Sequence, residues 1–337
     1  MSQPLVGPIV MGTVSVIVTF LLIITTMMPF SVHSKFIPSH PPNVIPSSKP
    51  LLPVLLMHGV TVDNNSMSEL RNFILESNPG TIVLSLPCED RLGSLLHPMS
   101  EQLELFARLV EEAKAQYGFR DHHLICHSQG GLLCRSYLQM YPKHTVRVFV
   151  SLSGVQNGEF GIPGDKSWEL VLKDKFPFLW NMTADEIYTV FYTDAFQKLV
   201  SVANYWKDPY HMDSYRKHSQ FLAVMNNDTT TVDYASKYHF RENMLRIDKM
   251  ILNGSPQDEI IKPYFSAFFD YYKYDVASNS LVTESMKFQS FYRNDVFGLK
   301  TLDRENRLII QRVPNVTHKE WITNQTLYEL YLRPFLY

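Results

Sequence analysis

The chain has 337 residues, a formal net charge of −2, 45% apolar residues and 19% charged residues. This length suits one large α/β domain with an insertion or two ordinary domains, and the composition excludes an intrinsically disordered chain. Because phosphate binding requires a basic face, the weakly negative charge argues against nucleic acid as a partner.

The N-terminal segment predicts entry into the secretory pathway. Residues 9–28 carry no charged side chain, and the first charged residue of the chain is Lys35. An apolar run of this length is typical of a membrane-spanning helix or of the core of a signal peptide. We therefore interpret residues 1–34 as a signal peptide or as an uncleaved signal anchor, which in that case is the expected membrane contact. The Pro-rich residues 35–50 then form a linker.

Six Asn-x-Ser/Thr motifs support exposure in that pathway, because this motif accepts N-linked glycans in secreted chains. The motifs begin at Asn64, Asn181, Asn227, Asn253, Asn315 and Asn324. We expect glycans on four of these residues, Asn64, Asn181, Asn227 and Asn324.

Patterns typical of buried strands and of amphipathic helices alternate along the chain. The strand patterns cover residues 50–59, 81–86, 122–127, 146–154, 249–254 and 307–313. The helix patterns cover residues 66–80, 101–119 and 130–141, and Ser100 is the expected N-cap of the second. This alternation predicts an α/β fold with a mostly parallel sheet and helices on both faces.

The residues LICHSQGG, 124–131, place Ser128 between a predicted strand and a predicted helix. Gly-x-Ser-x-Gly at such a junction marks the nucleophile elbow of α/β-hydrolases, where a strained turn exposes the serine. Gly130 fills the second glycine position here, whereas Cys126 replaces the first glycine with the next tolerable side chain. We interpret Ser128 as a nucleophile, and an ordinary serine in a loop of small residues is the alternative.

A serine nucleophile requires a base and an acid, which in this fold follow it in the order Ser, Asp or Glu, His. His318 is the only histidine after the candidate acids, and it follows a predicted strand. The candidate acids are Asp258 and Glu259, in the loop after the preceding predicted strand. We favour Asp258 because its shorter side chain holds an imidazole more rigidly.

Two backbone N–H groups are required to bind the oxyanion of an acyl-transfer intermediate. We assign them to Gln129, directly after the nucleophile, and to Val60, in the loop after the first strand. Gly59 allows that loop to approach closely. His58 as a metal ligand is the competing interpretation, but it has no partner at ligand spacing, so we expect neither a metal nor a cofactor.

The alternation of strands and helices stops over residues 155–245, which are rich in aromatic side chains. We expect this insertion to form a helical cap over the site. Such caps line apolar channels for acyl chains, and packing of the cap itself is the equally weighted alternative.

Over nearly all residues from Leu51 to the C-terminus, the chain resembles the palmitoyl-protein thioesterase family. The matching segments are MHGV, ICHSQGGLLCR, SLSG, VANYWKDPYHMDSYRKHSQFLA, FSAFFDYY, FGLKTLD and THKEWITNQTLYE. The family carries Ser-Gln-Gly at its elbow, and its catalytic acid, five residues before a proline, falls on Asp258. Its histidine falls on His318, and its oxyanion donors fall on Val60 and Gln129.

The resemblance implies an α/β-hydrolase domain over residues 51–337 that hydrolyses long-chain fatty acyl thioesters in the lysosome. The acyl group is then carried by coenzyme A-like thiols or by S-acylated proteins. A secreted or membrane-anchored form is the alternative location. A carboxylester lipase with the same triad and a non-enzymatic lipid-binding protein are the rival functions.

A disulfide between Cys126 and Cys134 is a further expectation. A lysosomal branch of the family also has Cys two residues before the serine, and it carries the same pair. Cys134 lies one helical turn beyond Gly130, which in an elbow is pressed against Cys126. Two buried free thiols are the alternative, and Cys88 is the expected unpaired cysteine.

Overall fold

The computed structural model describes residues 51–161, 173–179, 182–183 and 186–336. The predicted leader (residues 1–34), the linker (35–50) and Asn181 therefore lie outside the described residues, as do residues 162–172 of the predicted cap. Within the described ranges, no helix is long and apolar enough to cross a bilayer.

Eight strands are present in the described ranges, and six of them form one parallel sheet. In chain order they are β1 (Val54–Met57), β2 (Val83–Ser85), β3 (His122–His127), β4 (Val146–Leu152), β5 (Lys249–Gly254), β6 (Tyr271–Asp275), β7 (Ser280–Glu284) and β8 (Leu308–Arg312). The parallel sheet has the order β2-β1-β3-β4-β5-β8, and β6 and β7 form a separate antiparallel pair. Every pairing in the large sheet is parallel, as predicted.

Helices connect the strands and cover the sheet. The helices are α1 (Ser68–Ser77), α2 (Arg91–Leu96), α3 (Met99–Tyr117), α4 (Gln129–Met140), α5 (Tyr188–Phe191), α6 (Asp194–Leu199), α7 (Ser201–Tyr205), α8 (Met212–His218), α9 (Leu222–Met225), α10 (Tyr234–Tyr238), α11 (Phe240–Met244), α12 (Ser290–Arg293), α13 (Leu299–Arg304), α14 (Glu320–Thr323) and α15 (Gln325–Leu327). Single 3-10 turns cover Asn64–Met67, Tyr264–Phe268, Met286–Phe288 and Arg333–Phe335, and a π turn covers Tyr328–Leu332.

The central strands are buried on both faces, which explains their continuous apolar sequences. Every residue of β1 and of β3 is buried. The first strand begins at Val54, later than the predicted start at residue 50, because Pro53 has no N–H to donate to a neighbouring strand.

The prediction that Ser100 is the N-cap of α3 was wrong. The helix begins at Met99 after Pro98, and Ser100 lies inside its first turn. The N–H of Met99 is instead bound by the side-chain oxygen of Asn204, at 2.7 Å. A side chain distant in sequence therefore caps this helix, which local sequence patterns do not reveal.

The segment between β4 and β5 interrupts the alternation of strands and helices. In its described part it forms helices α5 to α11. Glu159 and Trp206 form an isolated β-bridge inside this segment. The segment follows the carboxyl end of β4. Since all six strands are parallel, their carboxyl ends lie at one edge of the sheet, where open α/β sheets bind ligands.

Candidate active site

Ser128 lies in the one-residue turn between β3 and α4. Its backbone angles are φ 58° and ψ −129°, which non-glycine residues rarely adopt and which costs on the order of 1–3 kcal/mol. The N–H of Ser128 donates to the carbonyl of Leu152 at 2.9 Å, which ties the turn to the end of β4. This geometry is that of a nucleophile elbow.

Two glycines allow the backbone to approach Ser128 closely. A Cβ on Gly59 would lie 2.7 Å from the Cβ of Ser128, and a Cβ on Gly130 would lie 2.4 Å from the carbonyl oxygen of His58. Since real Cβ atoms do not approach other atoms so closely, both positions require glycine. The elbow therefore depends on the loop after β1 as well as on its own residues.

Cys126 occupies the position of the missing first glycine. It is fully buried, and a disulfide joins it to Cys134 on α4, with Cα atoms 6.6 Å apart. Cys88 is a buried free thiol, the one free cysteine in the chain. The disulfide thus links the strand before the elbow to the helix after it.

Asp258 and His318 are in direct contact, although 60 positions separate them in the chain. Nδ1 of His318 lies 2.9 Å from Oδ2 and 3.1 Å from Oδ1 of Asp258. The N–H groups of Ile260 and Ile261 donate to Oδ1 at 2.9 and 3.0 Å and fix the carboxylate. Because a carboxylate only accepts, His318 carries its proton on Nδ1, which leaves Nε2 free as a base.

Electrostatics keep the carboxyl of Asp258 ionised. Burial alone would raise the pKa of Asp258, but the electrostatic interaction and the hydrogen bond with His318 outweigh it and lower the pKa to about 2. Glu259 has a different place: its Oε2 accepts from the backbone N–H of His318 at 3.1 Å. Glu259 therefore holds the backbone of His318, whereas Asp258 holds the ring.

His127 links the elbow to the loop that carries His318. Its Nε2 donates to the carbonyl oxygen of His318 at 2.9 Å, and the centroids of the two rings are 4.5 Å apart. Burial lowers the pKa of His127 to about 3, so the ring stays neutral. Within the described residues the hydroxyl of Ser128 forms no hydrogen bond, which is common in such sites before substrate binds.

The two expected oxyanion donors lie at the same place. Val60 and Gln129 both line the pocket that contains Ser128. Among the described residues, neither of their backbone N–H groups donates to a protein acceptor. Buried N–H groups without a partner are rare in proteins, so these two donors are available to a ligand.

An apolar pocket opens onto Ser128. Including its opening to solvent it measures about 650 Å³. Its apolar wall comes mainly from the segment between β4 and β5 and includes Leu179, Ile187, Phe191, Val202, Tyr205 and Trp206. The aromatic residues of this segment therefore line a cavity next to Ser128, in addition to packing against one another.

Sequence patterns missed Glu159, a carboxyl that lines the same pocket. It is 5% exposed, and its Oε1 accepts from the N–H of Lys262 at 2.6 Å. Burial raises the pKa of Glu159 well above 4.5, the Lys262 N–H opposes this rise, and the charge of Asp258 adds to it. A lone glutamate between apolar residues carries no sequence signal of such a role.

We expect Glu159→Gln to be more stable than the wild type, by a difference in free energy of unfolding that grows as the pH rises from 4.5 to 7.5. Well below pH 4.5 the carboxyl is protonated in both states, and as the pH rises past 4.5 the unfolded chain loses the proton before the folded chain does, because burial raises the pKa of the folded state. The contribution of Glu159 to the free energy of unfolding therefore falls with rising pH. Glutamine removes this dependence and keeps an acceptor for Lys262. Melting temperatures of both proteins across this range measure the effect.

The exposed Glu111, which pairs with Lys114 on α3, provides the control for that experiment. Glu111→Gln is expected to show no gain that grows with pH. A difference between Glu159→Gln and the wild type that is constant from pH 4.5 to 7.5 would contradict the raised pKa of Glu159.

The described asparagines of the glycosylation motifs differ in exposure. Asn253 is fully buried in β5, so the folded chain offers no access to it. Asn64, Asn227 and Asn324 are partly exposed, and Asn315 is exposed. Glycans on Asn64, Asn227 and Asn324 stay a prediction, and Asn181 lies outside the described residues.

Comparisons with known proteins relate this chain to one family. A family model described as palmitoyl protein thioesterase matches residues 53–318, a range that ends at the candidate base. The lysosomal thioesterase PPT2 of Homo sapiens is 36% identical to this chain over 286 residues, which cover 84% of this chain and 87% of that protein. Palmitoyl-protein thioesterase 3 of Dictyostelium discoideum is 34% identical over 271 residues, which cover 80% of this chain and 85% of that protein.

Among solved structures, the mature lipase BlEst2 of Bacillus licheniformis is similar at 14% identity with a TM-score of 0.46. The match covers 87% of this chain and 96% of that chain.

Proposed function

The chain belongs to the palmitoyl protein thioesterase family and is a thioester hydrolase, and from this premise we propose that it cleaves long-chain fatty acyl thioesters through Ser128, His318 and Asp258. The observation that carries the proposal is the apolar pocket that opens onto Ser128. It offers an acyl chain an apolar environment and brings its carbonyl carbon next to the nucleophile.

In the first half of the proposed reaction, Nε2 of His318 takes the proton of the Ser128 hydroxyl as its oxygen attacks the thioester carbonyl. The resulting oxyanion accepts hydrogen bonds from the N–H groups of Val60 and Gln129. Asp258 stabilises the imidazolium through the Nδ1 proton and stays ionised. The intermediate then collapses, the carbon–sulfur bond breaks, and the thiolate leaves and takes the proton.

In the second half, water attacks the acyl-enzyme and gives a proton to Nε2 of His318. The second tetrahedral intermediate collapses to the free fatty acid, and the proton returns to the oxygen of Ser128. Thiols are more acidic than amines or alcohols, so the leaving group needs little protonation. Acylation by a thioester therefore depends less on proton donation by His318 than acylation by an amide would.

We expect the rate constant kcat/KM to rise with acyl chain length until the pocket is full. Each buried CH₂ contributes up to about 0.8 kcal/mol, or roughly fourfold in kcat/KM. A series of thioesters with four to sixteen carbons and one common thiol measures this dependence. If kcat/KM did not change with chain length, the pocket would not be a binding site for the acyl chain.

A variant that fills the pocket separates this effect from surfactant-like behaviour of long chains. Val202 lines the pocket, so Val202→Phe is expected to lower activity on the longest thioesters more than on the shortest. Val282 is exposed on β7, and the matched Val282→Phe is expected to leave the whole series unchanged.

The preference for sulfur over oxygen esters is the experiment that tests the function directly. We expect higher kcat/KM on a palmitoyl thioester than on the oxygen ester of the same acyl group and a matched alcohol. A higher value on the oxygen ester would indicate a carboxylester lipase with the same residues instead.

We further propose that the protein acts in the lysosome. Relatives in this family carry the name lysosomal thioesterase, and the glycosylation motifs fit passage through the secretory pathway. Cell fractionation together with glycosidase treatment tests this location. Recovery of an unglycosylated protein from the cytosol would contradict it.

A further inference from the structure

Ser94, a buried residue of α2, contacts both sides of the proposed oxyanion hole. Its side-chain oxygen accepts from the backbone N–H of Thr61, which follows Val60, at 2.8 Å. Its carbonyl oxygen accepts from Nε2 of Gln129 at 2.9 Å. Ser94 is 1% exposed. A single residue outside the triad thus binds the neighbour of one donor and the side chain of the other.

The Val60 side of the hole requires such a contact because its backbone is strained. Thr61 has φ 64°, a conformation that is a genuine outlier for a β-branched residue and persists only where the surroundings enforce it. The hydroxyl of Ser94 donates to the carbonyl of Arg91 at 2.6 Å. Its proton is therefore directed away from Thr61, and a lone pair faces the N–H.

The Gln129 side of the hole is held by a buried amide network. Nε2 of Gln129 donates to Oε1 of Gln102 at 3.0 Å as well as to the carbonyl of Ser94. That carbonyl accepts two further hydrogen bonds, from Gln102 at 2.9 Å and from the hydroxyl of Ser201 at 2.8 Å. The first residue of α4 is therefore fixed through its side chain, which leaves its backbone N–H free.

We propose that Ser94 is a positioning residue for the oxyanion hole, one that holds the N–H groups of Val60 and Gln129 where the tetrahedral intermediate needs them. The inference rests on the proposed function, which supplies the oxyanion. The hole binds the transition state and not the ground-state carbonyl, so a loosened hole lowers kcat and leaves KM nearly unchanged.

Ser94→Ala tests the proposal, because it removes the acceptor for Thr61 and keeps the carbonyl that binds Gln129. We expect kcat on a long-chain acyl thioester to fall roughly 10- to 100-fold, since deleting a donor outright costs about 10²–10³. The affinity for a long-chain trifluoromethyl ketone, which forms a tetrahedral adduct with a serine, should fall by the same factor. Titration with a fluorophosphonate counts folded active sites, so kcat is expressed per competent molecule.

Two further variants separate positioning from packing. Ser94→Thr keeps the hydroxyl and is expected to recover most of kcat. Ser136 is a fully buried serine of α4 whose hydroxyl donates to the carbonyl of Leu132, and Ser136→Ala is expected to leave kcat per site unchanged.

An unchanged kcat per site in Ser94→Ala, or a rise in KM with constant kcat, would overturn the proposal. A loss that Ser94→Thr does not recover would do the same, because it would indicate a packing role. If Ser128→Ala is inactive in parallel, such results remove the role of Ser94 alone. Activity retained by Ser128→Ala would remove the proposed function and this role together.

Discussion

Ser128→Ala is expected to abolish thioester hydrolysis and to leave the fold intact. The hydroxyl forms no hydrogen bond among the described residues, and alanine fits any space that serine occupies, so we expect no large change in melting temperature. Removing the nucleophile of a serine triad costs on the order of 10⁶ in kcat, and the residual rate comes from the oxyanion hole and binding. Initial rates on a palmitoyl thioester, with melting temperature as a folding check, measure both quantities.

The matched control for this variant is again Ser136→Ala, which removes a buried hydroxyl from the helix that follows the elbow. It should keep full activity. Ser128→Ala with more than a tenth of the wild-type activity would rule out Ser128 as the nucleophile, because that loss is far smaller than any triad role permits.

His318→Ala is expected to be nearly as damaging as Ser128→Ala, and Asp258→Asn to cost less, on the order of 10⁴ in kcat. Without its base the serine stays protonated. With asparagine at position 258 the imidazole remains present, but the loss of the Nδ1 contact at 2.9 Å favours the wrong tautomer. Values of kcat for the three variants, measured on one thioester, establish the order.

Glu259→Gln serves as the control for the choice of acid. Its side chain binds only the backbone N–H of His318 among the described residues, an interaction that glutamine can keep through its amide oxygen. We expect a small effect. If Glu259→Gln were nearly inactive and Asp258→Asn fully active, Glu259 and not Asp258 would be the acid that supports His318.

The positions of Ser128, Asp258 and His318 were predictable because of the parallel sheet. Each residue directly follows a predicted strand or lies in the loop after it, and the carboxyl ends of parallel strands share one edge. Chain order then predicts the role of each residue. The pairing order β2-β1-β3-β4-β5-β8 was not part of the prediction, because strand patterns do not determine which strands are neighbours.

The residues that the sequence did not reveal act through contacts between distant segments. Asn204 caps α3 across 105 positions, and Ser94 binds Gln129 across 35. The raised pKa of Glu159 comes from its burial in the apolar pocket. The motif at Asn253 has the required sequence, but its side chain is buried in β5 of the folded chain. In each case the contacts or the burial of the residue depend on tertiary packing, which a local sequence pattern does not predict.

The central claim is that Ser128 is an activated nucleophile in an acyl-binding pocket, and labelling of the purified protein with a fluorophosphonate probe tests it most directly. We predict one probe per molecule, located on Ser128 by peptide mapping, with labelling slowed by a long-chain acyl thioester and absent in His318→Ala. A protein that takes up no probe, or that carries it on another residue, would contradict the claim.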